Sequence, residues 1–226
     1  MRKRSLDRRT TTLLVLSALV LSGCMTTRVE ESKNAATGIR QGERVVILES
    51  SYHAGNETED NFMSCVSKAL QRGKNSVEVF PGDEFVDTLY PWLEPRTMPR
   101  GPDAMPELMG RPGVEKRLRE SGVRYIVWVT GDTEKSSSGG SLSCAASPAG
   151  GGCFGLLWWE NDSSYEAAIW DLEDGTSAGE VSTDVRGTSV IPALIVPIPL
   201  IARTQSAACK GLAQELRTFI VDSGPL

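Results

Sequence analysis

The nine residues VRYIVWVTG, 123 to 131, constrain the fold most. They are β-branched and aromatic almost throughout, with Arg124 the one charge, so neither of the two alternating faces of a strand is polar. A strand of that kind is stable only when covered on both sides, as in the interior of a sheet flanked by helices. RVVILES, 44 to 50, is a second short apolar run suited to a buried strand. The expected class is therefore α/β (or α+β), a mixed sheet with helices packed on it in a single domain.

The elements between these strands follow from punctuation and periodicity. Asn56 with Glu59 resembles a capping box and opens a helix closed by Gly73, with Phe62, Cys65, Val66, Ala69 and Leu70 on one face. SVEVF, 76 to 80, reads as a strand stopped by Pro81-Gly82, and residues 83 to 93 as a short helix. Six prolines between Pro91 and Pro112 argue against regular structure there. GVEKRLRES, 113 to 121, is a helix with Gly122 past its end. Residues 132 to 152, rich in Ser and Gly, read as a long loop. CFGLLWW (153–159) and SYEAAIWDL (164–172) read as paired strands, and the alternating GEVSTDVRGTS (179–189) as a half-exposed strand. Cys209, Leu212, Ala213, Leu216, Phe219 and Ile220 recur at i, i+3, i+4, i+7 and mark the buried face of a last helix.

The first 23 residues carry a different signal. MRKRSLDRR is basic, and residues 10 to 23, TTTLLVLSALVLSG, are uncharged. As a helix that run spans about 21 Å, short of the roughly 30 Å hydrocarbon core of a bilayer, and small residues follow it. This is the pattern of a secretory signal peptide. Leu21-Ser22-Gly23-Cys24 is similar to the lipobox of bacterial lipoproteins. That resemblance implies cleavage before Cys24, acylation of its sulfur and its amino group, and, since Met25 follows in place of aspartate, an outer-membrane address on the periplasmic side. Residues 25 to 42 are polar and aperiodic, so the organisation expected is signal peptide 1–23, lipidated tether 24–42 and folded domain 43–226. Loss of 1–23 would remove five basic residues and one acid, making a chain of net charge −5 still more acidic. Such a chain has no electrostatic footprint for nucleic acid.

GVRYIVWVTGDT, then YEAAIWDLEDGTSAGEVSTDVRG and a terminal helix, resembles the periplasmic domain shared by CsgG-like curli-secretion lipoproteins, the TolB amino-terminal domain and the lipoprotein activators of peptidoglycan synthases. In that pattern a later strand ends in an Asp-x-x-x-Gly turn, and Asp171, Asp174 and Gly175 stand in the matching place. The resemblance implies the fold over roughly residues 43 to 222 and transfers no functional residue. Two long, cleanly alternating hairpins of the kind that build a membrane pore are not expected from the sequence.

Cys24 aside, the cysteines are Cys65, Cys144, Cys153 and Cys209. An even number in an oxidising compartment favours disulfides. Of three connectivities, Cys144–Cys153 with Cys65–Cys209 is the most physical: the first closes a Gly-rich loop and the second joins two helices through their apolar faces. The spacing lacks paired CxxC units and His53 is the single histidine, so no metal site is expected. Gly150-x-Gly152-x-x-Gly155 spells a dinucleotide fingerprint, but a Ser/Gly stretch precedes it and a strand-like segment follows, so no cofactor is expected. His53 with a nearby serine or carboxylate defines an alternative reading as an envelope hydrolase, without any positioned-nucleophile motif. The acids at Glu57, Glu59 and Asp60, and at Asp171, Glu173 and Asp174, sit where a helix start and a turn favour them.

Two apolar features remain. VIPALIVPIPLIA, 190 to 202, is uncharged but carries Pro192, Pro197 and Pro199, which bar a helix and a central strand. It is either a connection buried along the sheet or an exposed patch centred on Ile195, Val196 and Ile198. Trp158 and Trp159 are adjacent on a strand and so point to opposite faces, which offers one of them as an interface anchor. Together these features describe a non-enzymatic lipoprotein, anchored through its lipid, whose domain binds an envelope protein or itself. Its role would lie in envelope assembly, maintenance or secretion. An oligomeric secretion-channel component is a further alternative.

Overall fold

The computed structural model describes residues 25–49, 58–94, 97–99, 101–148 and 150–221. Cys24 and His53 lie outside them. Six strands form one sheet: β1 (Met25–Lys33), β2 (Arg44–Glu49), β3 (Val79–Phe80), β4 (Val123–Ser147), β5 (Gly150–Asp171) and β6 (Thr176–Ile195), in the order β1-β6-β5-β4-β2-β3. The helices are α1 (Asp60–Leu70), α2 (Gly82–Thr88), α3 (Met105–Met109), α4 (Val114–Glu120) and α5 (Thr204–Val221), with a 3-10 turn at Pro102–Ala104. The mixed α/β class expected from the sequence is the one observed.

Two compact units divide the chain. A helical unit holds Thr27–Glu134, Ser163–Val185 and the residues from Gln205 on; a strand unit holds Lys135–Asp162 and Arg186–Thr204 with Met25 and Thr26. β4, β5 and β6 contribute residues to both.

In the helical unit β2 pairs in parallel with β3 and with β4, Val45 lying beside both Val79 and Tyr125. Alternation then sends side chains to two cores. Val45, Ile47, Tyr125, Val127 and Val129 pack with Phe62, Val66 and Leu70 of α1 and with Leu212, Leu216 and Phe219 of α5. Val46, Leu48, Ile126 and Trp128 pack on the other face with Phe85 of α2, Met105 and Leu108 of α3, and Val114 and Leu118 of α4. The register shifts by one between Arg44 and Val45, a bulge at Arg124 that turns Val123 to the second core. The double coverage inferred from VRYIVWVTG is thus met.

Four expectations fail, each for a physical reason. Residues 25 to 33, read as tether, are strand β1, and Gly38 further along both donates to and accepts from the Tyr125 hydroxyl, at 3.0 and 2.9 Å. An edge strand is held by its backbone ladder and can be polar on nearly every position, as here. The segment 132 to 152, read as loop, is mostly strand in β4 and β5, which have 25 and 22 residues. Ser and Gly predict loops only because they usually lack a partner strand. Third, Pro106 starts α3 within the proline-rich stretch, at a first-turn position whose N–H needs no partner. Last, 153–159 and 164–172, read as strands paired with each other, are one continuous strand β5, because β4 and β6 on its two sides carry the ladder through residues 160 to 163; Asn56 of the expected capping box lies outside the described residues.

Candidate functional site

The strand unit is built from chain that carries no charge between Lys135 and Glu160 or between Arg186 and Arg203. β4 and β5 run antiparallel: Gly140 stands against Leu156, Gly155 against Ser141 and Gly151 against Ala145. At Gly140 (φ +91°) a methyl group would lie 2.0 Å from the Leu156 carbonyl oxygen, so this close strand approach requires glycine. β6 follows β5, and past Ile195 the chain folds back. Val190 and Leu200 exchange both backbone hydrogen bonds at 2.8 Å, and the Ile198 N–H donates to the Pro192 carbonyl at 3.0 Å. Pro192 is tolerated because its nitrogen carries no hydrogen for that ladder to need.

This fold-back decides between the two readings of VIPALIVPIPLIA. It is not a buried connection. Leu194, Ile195, Val196, Ile198 and Ile201 are exposed, Leu194 by 76% and Ile195 by 72%, and Phe154 and Leu156 on β5 are exposed beside them. Phe154, Leu194 and Ile195 line an open groove of about 470 Å³ floored by the Cys144–Cys153 pair. The bridge itself is formed, its Cα atoms 4.0 Å apart across the hairpin. Ile195 also has φ +125°, a region that β-branched residues avoid. Holding it there costs about 1–3 kcal/mol, a strain that glycine would relieve. A strained, exposed isoleucine is doubly unfavourable in water, and contact with another surface would offset both costs. Trp158 and Trp159 are both half-buried. Trp158 lies across Gly139 of β4, so close that a methyl group there would sit 3.0 Å from its indole ring. Behind the apolar end, Glu160 accepts from Ser137 at 2.8 Å and Thr188 at 3.4 Å, and Asp162 pairs with Arg186 at 2.9 Å.

The helical unit holds two further features. At the carboxyl end of β2, where successive connections leave to opposite faces of the sheet, lies a crevice of about 640 Å³. Such switch points are where open α/β sheets take ligands. Ile47, Leu48, Met63, Val86, Leu93 and Met98 give it an apolar floor, and Glu49, Asp60, Asp83 and Asp87 an acidic rim that disfavours anions. Elsewhere Glu59 accepts from the Tyr165 hydroxyl at 2.7 Å and from the Thr133 N–H at 3.0 Å, while the Thr133 hydroxyl bonds Tyr165 and Ser163. The Tyr165 ring stacks on Phe62 of α1, centroids 3.4 Å apart. Burial, joined by the Glu59 carboxylate, pushes the Tyr165 phenol up to about 12. Tyr165 is therefore a neutral donor. Its folded-state value lies above the unfolded one, near 10, so its contribution is complete below pH 10 and falls as pH rises toward 12. Tyr165→Phe should flatten the alkaline limb of a stability–pH curve between pH 10 and 12; an unchanged limb would show that Tyr165 does not carry it. Tyr125, buried and also raised, acts in the same direction. Sequence reading missed this cluster because its members are 106 residues apart in the chain.

Cys65 and Cys209 are bonded as expected, joining α1 to α5. Among the described residues no group of three or more His, Cys, Asp or Glu could hold a metal ion, and no helix is long and apolar enough to cross a membrane.

No family model matches the chain, and no curated protein matches it significantly. Among solved structures it is similar to a PelC dodecamer from Paraburkholderia phytofirmans, with 11% identity and a TM-score of 0.42 over 87% of this chain and 99% of that one. A leucine-to-methionine variant of that dodecamer gives 13% identity and a TM-score of 0.39, over 88% of this chain and 100% of that one. Likeness at this level assigns neither fold nor function, so the reading below rests on the chain's own features.

Proposed function

We propose that the chain is an outer-membrane lipoprotein, acylated on Cys24 and exposed to the periplasm, that acts without catalysis as a binding module in envelope assembly, maintenance or secretion. The observation that carries this reading is the uncharged end of the strand unit, with seven large apolar side chains exposed there and Ile195 strained among them. Two disulfides support an oxidising compartment. In intact cells, palmitate should label the wild type and not Cys24→Ala, and crosslinking should trap the chain with an envelope partner or with itself. Recovery of the monomer alone would count against the binding role.

A second reading, an oligomeric secretion-channel component, is favoured by one observation. A long hairpin that the sequence did not suggest is present, β4 with β5, and β6 is followed by a short fold-back held by two bridges. A strictly monomeric protein in mild detergent would remove it.

A further inference from the structure

The occupant of the apolar end can be argued from where the chain leaves the strand unit. β1 runs antiparallel to β6, since Gly179 stands against Ser32 and Gly187 against Met25. β1 thus begins at Met25, level with Gly187 of β6. Because β1 is a paired strand from Met25 onward, no slack chain separates that point from the sheet. Cys24 is one Cα step away, about 3.8 Å. Beyond this level every segment of the strand unit is uncharged: the outer parts of β4 and β5, β6 after Arg186, and the fold-back as far as Ala202. Charge returns only at Lys135, Glu160, Asp162, Arg186 and Arg203.

We infer that the uncharged end of the strand unit is a second membrane contact, with Phe154, Leu156, Leu194, Ile195, Val196 and Ile198 packed into the acyl boundary of the leaflet that holds the lipid. This rests on the reading of Cys24 as the acylated residue. An anchor at Cys24, whose neighbour Met25 lies against Gly187, ties the strand unit to the bilayer at the border where its charges end. An aqueous position would leave all six side chains in water. Apolar burial at the interface adds to the hold of the acyl chains.

The test uses the full chain, expressed with its own amino-terminal segment and reconstituted into phosphatidylethanolamine–phosphatidylglycerol vesicles. An environment-sensitive fluorophore is attached through Ile195→Cys or, as control, Asp83→Cys, the four bonded cysteines being unreactive and the unsubstituted chain, labelled in parallel, giving the signal of any unacylated Cys24 to be subtracted. The Ile195→Cys probe should emit to the blue of its value in water and lose about half its intensity or more to nitroxide-labelled lipid tails, as interfacial insertion requires. The Asp83→Cys probe should do neither. Aqueous emission at position 195 would overturn the inference. So would blue emission that lipid nitroxide leaves unquenched, because that pattern places a second copy of the chain on the patch. Palmitate incorporation measured in the same preparations separates the two readings. Acylation with an aqueous probe defeats the membrane contact alone, and quenching without acylation defeats the reading of Cys24 alone.

Discussion

Removing the Cys65–Cys209 bridge should cost far more stability than removing the bridge at Cys144 and Cys153. The first closes a loop across a sequence separation of 144, the second across 9. Restricting the unfolded chain stabilises by about 5 kcal/mol for the long loop and about 3 kcal/mol for the short one. Structural context widens the gap. Cys209 is buried in the first core, and its partner's helix packs beside it, so Cys65→Ser with Cys209→Ser also places hydroxyls against Leu212 and Val66. Cys144 and Cys153 sit on adjacent strands already held by their ladder, in an open groove. Urea unfolding followed by tryptophan fluorescence, to which Trp128 and Trp170 contribute from the second core, should therefore show a midpoint lowered strongly by the first pair of substitutions. A Cys144→Ser, Cys153→Ser protein should show a clearly smaller shift by the same probe. Equal losses would refute the assignment of stability to the α1–α5 staple.

Arg124→Met should be strongly destabilising. Arg124 has 10% of its side chain exposed and pairs at 2.6 Å with Asp171, which has 2%. Glu173 bonds the same guanidinium, and the Asp171 carboxylate also accepts the N–H groups of Glu173 and Asp174, closing the turn to Gly175. Burial opposes the Arg124 charge, but Asp171 and Tyr125 outweigh it and raise its pKa above the ordinary value. Methionine keeps most of the volume and leaves Asp171 buried without its cation, a loss of about 3–5 kcal/mol. Adding Asp171→Asn should recover part of it, because the amide oxygen can still accept from the turn while the unpaired charge is gone. No recovery in the double variant would show that the damage is one of packing. The thermal midpoints of the three proteins decide between these outcomes.

The turn at Asp171 was legible before any coordinates, and so was much else. Phe62, Val66 and Leu70, and the whole stripe from Cys209 to Ile220, recur at helical spacing and are buried as that spacing demands. Periodicity works there because a helix or covered strand writes its burial into neighbouring residues. The alternation in 179 to 189 marked Val181, Thr183 and Val185, and all three are buried. Both disulfides followed from parity and from cysteines placed on helix faces and around a glycine run.

What lay beyond the sequence depended on partners distant in the chain. Residues 132 to 147 contain nothing that prefers a strand, and they become one because β5 offers them a ladder. Met25 to Lys33 become an edge strand because β6 has an open side. The exposure of Ile195 and Val196 was one of two open alternatives, since an apolar run with three prolines reads alike whether covered or bare. Local pattern thus determined the α/β class, the two-sided central strand and the core faces, because each is recorded in residues a turn or a pleat apart, whereas for the cysteines it only favoured one of three pairings. Tertiary pairing alone decided how far β4, β5 and β6 extend, that the segment after residue 24 is strand rather than tether, and that the uncharged end faces outward. Backbone hydrogen bonding is indifferent to side chains, and those three outcomes are made of it.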